Sequence, residues 1–477
     1  MADTGFLSAQ ELGAAYRRRE LSPADAVRDA LERSGELDRT LHAFAVVDQQ
    51  GAMAAARASE ARFARGTPIG LLDGIPVSVK DLLFVKGSSA AAGSMALRDF
   101  VPDTDEIAVE RLRAAGAIIL GKTSVPELGF GPGTQSPLVG VSRNPWDPTR
   151  TPGGSSGGSA VAVAAGMGPV ALGTDAGGSI RAPASFCGIV GLKPSFGRVA
   201  MYPAARDEHF PVFAGFETFD VVGPMTRTVD DAALVLDAIA GPDPRDRHSL
   251  ARGIDGFLQS APSRLDGLRI GWTLDLGSGV GLDAEVALGV TSAISGFVDV
   301  GAHVEPVTLD LGDTRPTFAP IAALELGALR RWVAEHPEAA NDRVRRLLDE
   351  AWTFTQVSDA MVARRALAEV VARWFDGFDL LVTPTTPVTA YPTDHELPER
   401  IGGAPSRRAY DLSVFTAPFT LTGNPAISIP CGWTPDGLPV GIQIVGGHLA
   451  DALVLRAARA FEEARPWAER RPAFAIG

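Results

Sequence analysis

The chain has 477 residues, 45% hydrophobic and 21% charged, with 44 Lys and Arg against 57 Asp and Glu for a formal charge of −13. This balance excludes a disordered chain and a nucleic-acid-coating surface, and it predicts a large core beneath a soluble, self-repelling exterior. Two cysteines, Cys187 and Cys431, build neither a disulfide framework nor a CxxC metal pattern, so two reduced thiols in a cytoplasmic protein are expected.

The first residues lack a basic segment followed by an apolar stretch, and no secretory signal is expected. Ser8 with Glu11 reads as a capping box, and Ser22-Pro23 as a second helix start, so the chain is predicted helical to about residue 65. From Gly74 to Val79, Ile75, Val77 and Val79 alternate with Ser78 and Lys80, a strand at period two that ends on a lysine. Residues 106–115 read as a helix closed by Gly116, and 117–120 as a strand, which is the alternation of an α/β fold. The Pro-rich loop 144–152 leads into Gly153-Gly154-Ser155-Ser156-Gly157-Gly158-Ser159, with a helix predicted from about 159 to 165 and a strand at 169–172. Residues 155–174 are uncharged, but their Ser, Gly and Pro content predicts a buried helix and strand rather than a membrane span. Residues 325–375 read as helices carrying Trp332, Trp352 and Trp374, and 380–383, 426–429 and 440–445 as strands; there is no repeat and no low-complexity tail.

The chemistry concentrates in two Gly/Ser clusters whose serines, Ser155 and Ser179, stand 24 residues apart. Glycine lets the backbone approach a neighbour closely, so such clusters present hydroxyls beside bare N–H donors. A nucleophilic serine needs a base and preorganised donors where the carbonyl oxygen becomes negative, and the backbone N–H groups of Ala176, Gly177, Gly178 and Ser179 are candidates for that oxyanion hole. Asp175 and Arg181 flank the serine and are read as holding its turn by charge-assisted hydrogen bonds. Lys80 has two readings: a desolvated neutral amine serving as general base, or a lysine whose head meets a carboxylate such as Asp81.

Gly153–Ser159, Gly173–Arg181 and Phe186–Pro194 resemble the amidase signature family, as do Gly74–Asp81, Gly423–Ala426 and Gly437–Gly441. The resemblance implies one large α/β domain over residues 1–477, a central mixed β-sheet covered by helices on both faces. Within it come an N-terminal helical region (1–65), a core (66–245), and a variable helical substrate region (310–375) inserted before the C-terminal strands. Carried over position by position, it makes Lys80 the base, Ser155 a bridging serine after a cis peptide bond at Gly154-Ser155, and Ser179 the nucleophile. It implies an amidase that cleaves linear amides, anilides or carbamates through an acyl-enzyme, with no cofactor and no metal. The expected partner is a small-molecule amide or carbamate substrate, without nucleic acid or membrane, in a monomer or homodimer. Pocket walls are expected from Phe130, Gly131, Thr134, Tyr202, Phe210 and Phe213 together with the Trp-bearing helices.

Rival readings remain. The family resemblance equally marks the glutaminase subunit of a tRNA-dependent amidotransferase, although no glutamine-clamping region is recognisable in residues 300–375. Gly153–Gly157 also fits the nucleophile elbow of α/β-hydrolase esterases, with His395 or His448 in a triad, but that needs a strand before the serine. Gly116 with Gly121-Lys122-Thr123 has phosphate-loop spacing, yet 117–120 reads as strand, and none of the seven histidines falls at metal-ligand spacing.

Overall fold

The computed structural model describes residues 4–203, 216–251, 256–258, 264–337 and 340–475. Ser8 and Glu11 form the capping box: the Ser8 hydroxyl accepts the Glu11 N–H at 3.1 Å, and the Glu11 carboxylate accepts the Ser8 N–H at 2.7 Å. They open the helix Ala9–Arg18; Ser22 caps Pro23–Leu41, which is followed by the strand Phe44–Val47 and the helix Gln49–Arg65.

Eleven strands form one mixed sheet. From edge to edge they are Phe44–Val47, Ile118–Thr123, Pro76–Lys80, Val170–Thr174, Val222–Thr226, Val190–Lys193, Ala426–Trp433, Pro439–Gly446, Leu380–Pro384, Arg269–Trp272 and His303–Pro306. Alternation along each strand divides the core into two layers. Val77, Val79, Val170 and Leu172 pack into one with the helix Val229–Ile239, while Ala171 and Met225 pack into the other with the helix Gly157–Ala164. Both faces are therefore covered, which is why these strands are apolar throughout. No helix among the described residues is long and apolar enough to cross a membrane.

Pro76–Lys80 runs parallel to Val170–Thr174, and Val222–Thr226 runs antiparallel to the latter, with Thr174 opposite Val222. Hence Lys80, Thr174 and the residues just before Val222 meet at one end of the sheet, the carboxyl end of the parallel strands, where α/β folds place sites. Both Gly/Ser clusters depart from that end. Of the three helical tryptophans expected in the substrate region, Trp352 lies in the turn between Asp342–Asp349 and Phe354–Trp374. Trp374 stacks on Phe378 and packs beside Gly271, on the strand next to the sheet's edge, whereas Trp332 joins the cluster holding Phe130 and Phe216.

Candidate active site

Lys80 is fully buried at its strand's end. Its Nζ lies 2.7 Å from Ser155 Oγ, and it donates to Thr174 Oγ1 at 2.9 Å and the Thr174 carbonyl at 3.3 Å. In its neutral form the amine has two N–H bonds for Thr174 and one lone pair that can accept the Ser155 hydroxyl, whereas the ammonium donates to all three oxygens. Burial pushes the Lys80 ammonium down to about 7, against the opposing pull of the Asp220 and Asp175 charges. Asp220, whose carboxylate accepts the Val221 N–H at 3.0 Å, is pushed up by burial and pulled back by Lys80. The alternative partner, Asp81, is taken: its Oδ1 accepts Lys122 Nζ at 2.8 Å, both side chains being buried. Gly121-Lys122-Thr123 lies inside the strand Ile118–Thr123, as a phosphate loop does not.

Ser155 follows a cis peptide bond from Gly154 and precedes the helix Gly157–Ala164. No strand runs into it, so the nucleophile-elbow geometry is missing. Gly153 has φ of +79°, and a Cβ there would press on Pro183 and Phe186 at 3.1 Å, so only glycine fits. The two clusters are joined where the Ser156 N–H donates to the Ser179 carbonyl at 3.1 Å. Ser179 is half-buried, and its hydroxyl has no hydrogen-bond partner among the described residues.

The turn before Ser179 is built on Asp175. Its Oδ1 accepts the Gly178 N–H at 2.6 Å and its Oδ2 the Ile180 N–H at 3.2 Å. Gly178, with φ of +130°, could not carry a side chain, because a Cβ would lie 2.5 Å from Thr416 Oγ1. The N–H groups of Ala176, Gly177 and Ser179 donate to no acceptor among the described residues and form a cluster of bare donors. Of the four N–H groups expected as oxyanion donors, that of Gly178 donates to Asp175 instead.

Arg181 is fully buried and uses all five of its donors. Nε and Nη2 clasp Asp175 at 2.9 and 2.8 Å, Nη2 also reaches Thr420 Oγ1 at 2.8 Å, and Nη1 reaches the Thr416 carbonyl at 3.0 Å and Gln443 Oε1 at 2.8 Å. Burial alone raises the Asp175 carboxyl; the Arg181 guanidinium and the backbone donors overcome this and hold it at about 2. Asp175 is thus a fixed anion whose role is to shape the turn.

The remaining expected residues divide. Thr134 is buried and donates to the Gly153 carbonyl at 2.8 Å, so it props the first cluster from behind. Gly131 abuts Gly154, and the half-buried Phe130 meets Phe216 edge-on at 5.9 Å. Tyr202 bonds through its backbone to Glu106 and Ile107, and Arg245 sits 5.7 Å over its ring. Phe210 and Phe213 lie outside the described residues. Thr174, Asp220, Thr416, Thr420 and Gln443 escaped the reading of the sequence. Only Gln443 left a signal there, an amide in the apolar run 440–445 that once buried must find partners. Cys187 is buried with its thiol pushed up, and no group of three or more His, Cys, Asp or Glu gathers as a metal site among the described residues.

A model of the family described as Amidase matches residues 25–455. The chain belongs to the amidase signature family. Among its relatives, a glutamyl-tRNA(Gln) amidotransferase subunit of Gloeobacter violaceus is 38% identical over 485 residues, covering 96% of each chain. An acylamidase of Rhodococcus erythropolis is 35% identical over 476 residues, covering 98% of this chain and 97% of its own. The solved structure of a bacterial aryl acylamidase of this family superposes with a TM-score of 0.88 at 30% identity, covering 99% and 98%. This amidase-family chain is accordingly an enzyme, a hydrolase of carbon–nitrogen amide bonds.

Proposed function

We propose that the chain is a stand-alone amidase that hydrolyses linear amides, anilides and carbamates among them, through an acyl-enzyme on Ser179. The observation that carries this is the buried Lys80 Nζ, 2.7 Å from Ser155 Oγ and bonded to Thr174, beside three unused backbone N–H donors. Substrate binding turns the free Ser179 hydroxyl toward Ser155, the kind of contact that tightens in the reactive complex. The Ser179 proton passes to Ser155 Oγ as the Ser155 proton passes to Lys80, and the Ser179 Oγ–carbon bond forms. The N–H groups of Ala176, Gly177 and Ser179 take up the oxyanion, a service typically worth about 3–4 kcal/mol per donor. Lys80 and Ser155 return the proton to the leaving nitrogen as the carbon–nitrogen bond breaks, and water repeats the cycle on the ester. Serine, lysine and backbone donors complete this reaction, and we place it in the cytoplasm, in keeping with two unpaired thiols.

A base that works as the free amine sets the sign of the pH dependence. The kcat/KM for an uncharged amide is expected to rise as pH climbs through about 7 and then level, since protonated Lys80 cannot accept the Ser155 proton. In Asp220→Asn the removal of a negative charge favours the neutral amine, so the rising limb moves to lower pH. A profile falling across this range, or one unmoved in Asp220→Asn, contradicts the assignment.

The second reading is the glutaminase component of an amidotransferase, favoured by the 38% identity to the Gloeobacter violaceus protein. Amine or ammonia release from simple amides, anilides, carbamates and glutamine, measured beside Ser179→Ala and Lys80→Ala, separates the two. Partner-free hydrolysis of neutral amides, lost in both variants, is the expected result. Cleavage of glutamine alone would transfer the assignment to the amidotransferase class.

A further inference from the structure

The first cluster and the oxyanion turn are bridged by a continuous row of aromatic rings. A Cβ on Gly177 would lie 3.5 Å from Phe318 Cζ, so the edge of that ring faces the oxyanion turn directly. Phe318 lies 5.4 Å from Tyr410 and 6.5 Å from Phe216 between ring centroids, and Phe216 meets Phe130 at 5.9 Å. Phe130 immediately precedes Gly131, whose backbone carbonyl abuts the first cluster: a Cβ on Gly154 would strike it at 2.6 Å. Phe130, Phe216, Phe318 and Tyr410 are all half-buried, with ring surface left over. The charged groups behind them are occupied: Arg364 lies over the buried Phe219 and donates to Thr218 and the Leu421 carbonyl, and Glu325 accepts from Thr218. The charges nearest the row are likewise paired, Arg343 beside Gly131 with Glu396, Arg315 with Glu350 and Arg408 with Asp411, so the row offers apolar surface whose neighbouring charges already have partners.

Its two ends differ in what they can touch. The leaving nitrogen takes its proton from Ser155, so it lies toward the first cluster; the acyl group stays bonded to Ser179 beside the oxyanion donors. Resting on the acyl-enzyme reading above, we propose that Phe318, backed by Tyr410 and Phe216, forms an acyl-side wall for a flat, uncharged aryl group, and that Phe130 separately borders the leaving amine. Each wall then selects one half of the substrate. Loss of an aromatic wall from an apolar subsite is worth roughly 10- to 100-fold in selectivity, on the scale of 1–3 kcal/mol for hydrophobic discrimination.

The test uses two amide series with the purified full-length enzyme: acetyl, butyryl and benzoyl amides of one amine, and one acyl group on ammonia, methylamine and aniline. Phe318→Ala is expected to lower the benzoyl-to-acetyl ratio of kcat/KM at least about tenfold and leave the aniline-to-ammonia ratio within about twofold; Phe130→Ala is expected to do the reverse. Acetamide turnover in both variants, and its loss in Ser179→Ala, verifies folding and the underlying reading in the same plates. Phe318→Leu, which keeps the bulk, replaces Phe318→Ala if acetamide turnover collapses. Ratios unchanged in both variants, or both variants shifting the same series, would overturn the two-wall assignment while leaving Ser179 as nucleophile intact.

Discussion

Replacing Ser179 with alanine is expected to reduce kcat for every amide on the order of a million-fold, the scale on which removal of a serine nucleophile acts. The physical ground is that no other group can form the ester: Ser155 is engaged with Lys80 at 2.7 Å, Ser156 donates to the Thr174 carbonyl at 3.2 Å, and Cys187 is a buried thiol pushed away from its nucleophilic form. The loss should come without unfolding. The Ser179 hydroxyl bonds nothing among the described residues, so the alanine variant is expected to keep the wild-type unfolding midpoint and bind substrate normally. Residual activity above a thousandth of wild type, in protein free of wild-type carry-over, would contradict the assignment.

Arg181→Met should be the most damaging change to stability. It removes five hydrogen bonds at once and leaves Asp175 an unpaired anion in the interior, a situation that costs about 3–5 kcal/mol. Arg181→Lys restores the charge but not the planar fork that reaches Asp175, Thr420, Thr416 and Gln443 together, so only part of the loss should return. Urea unfolding followed by tryptophan fluorescence reads the effect as a lower midpoint at similar slope. Because these bonds tie the oxyanion turn to residues more than 230 positions away, activity should fall with stability. An Arg181→Met enzyme with a wild-type midpoint would mean that the buried pair is not what secures this turn.

What was legible in the sequence is what local pattern determines. A charged residue ending an alternating apolar strand marked Lys80, and two Gly/Ser clusters marked where the backbone runs bare; both arrive at the same end of the sheet. Capping at Ser8 and Ser22 was readable because it involves residues three apart. Two kinds of information were not local. Whether Asp81 or Ser155 meets Lys80 depends on the neighbouring strand that brings Lys122, and that Gly178 gives its N–H to Asp175 depends on the turn's dihedral angles. Thr416, Thr420 and Phe318 reach the site from helices or turns packed there by tertiary contacts, with nothing in their own neighbourhood to mark them.

A covalent acyl-enzyme on Ser179 can be trapped by mixing the enzyme with an activated ester such as p-nitrophenyl acetate, quenching in acid within the first turnover, and mapping the modified peptide by mass spectrometry. One acetyl group is expected on the peptide carrying Ser179, absent in Ser179→Ala and formed far more slowly in Lys80→Ala. An acetyl group on Ser155 or Ser156 in the wild-type enzyme, undiminished in Ser179→Ala, would contradict this assignment and make the first Gly/Ser cluster the seat of the nucleophile.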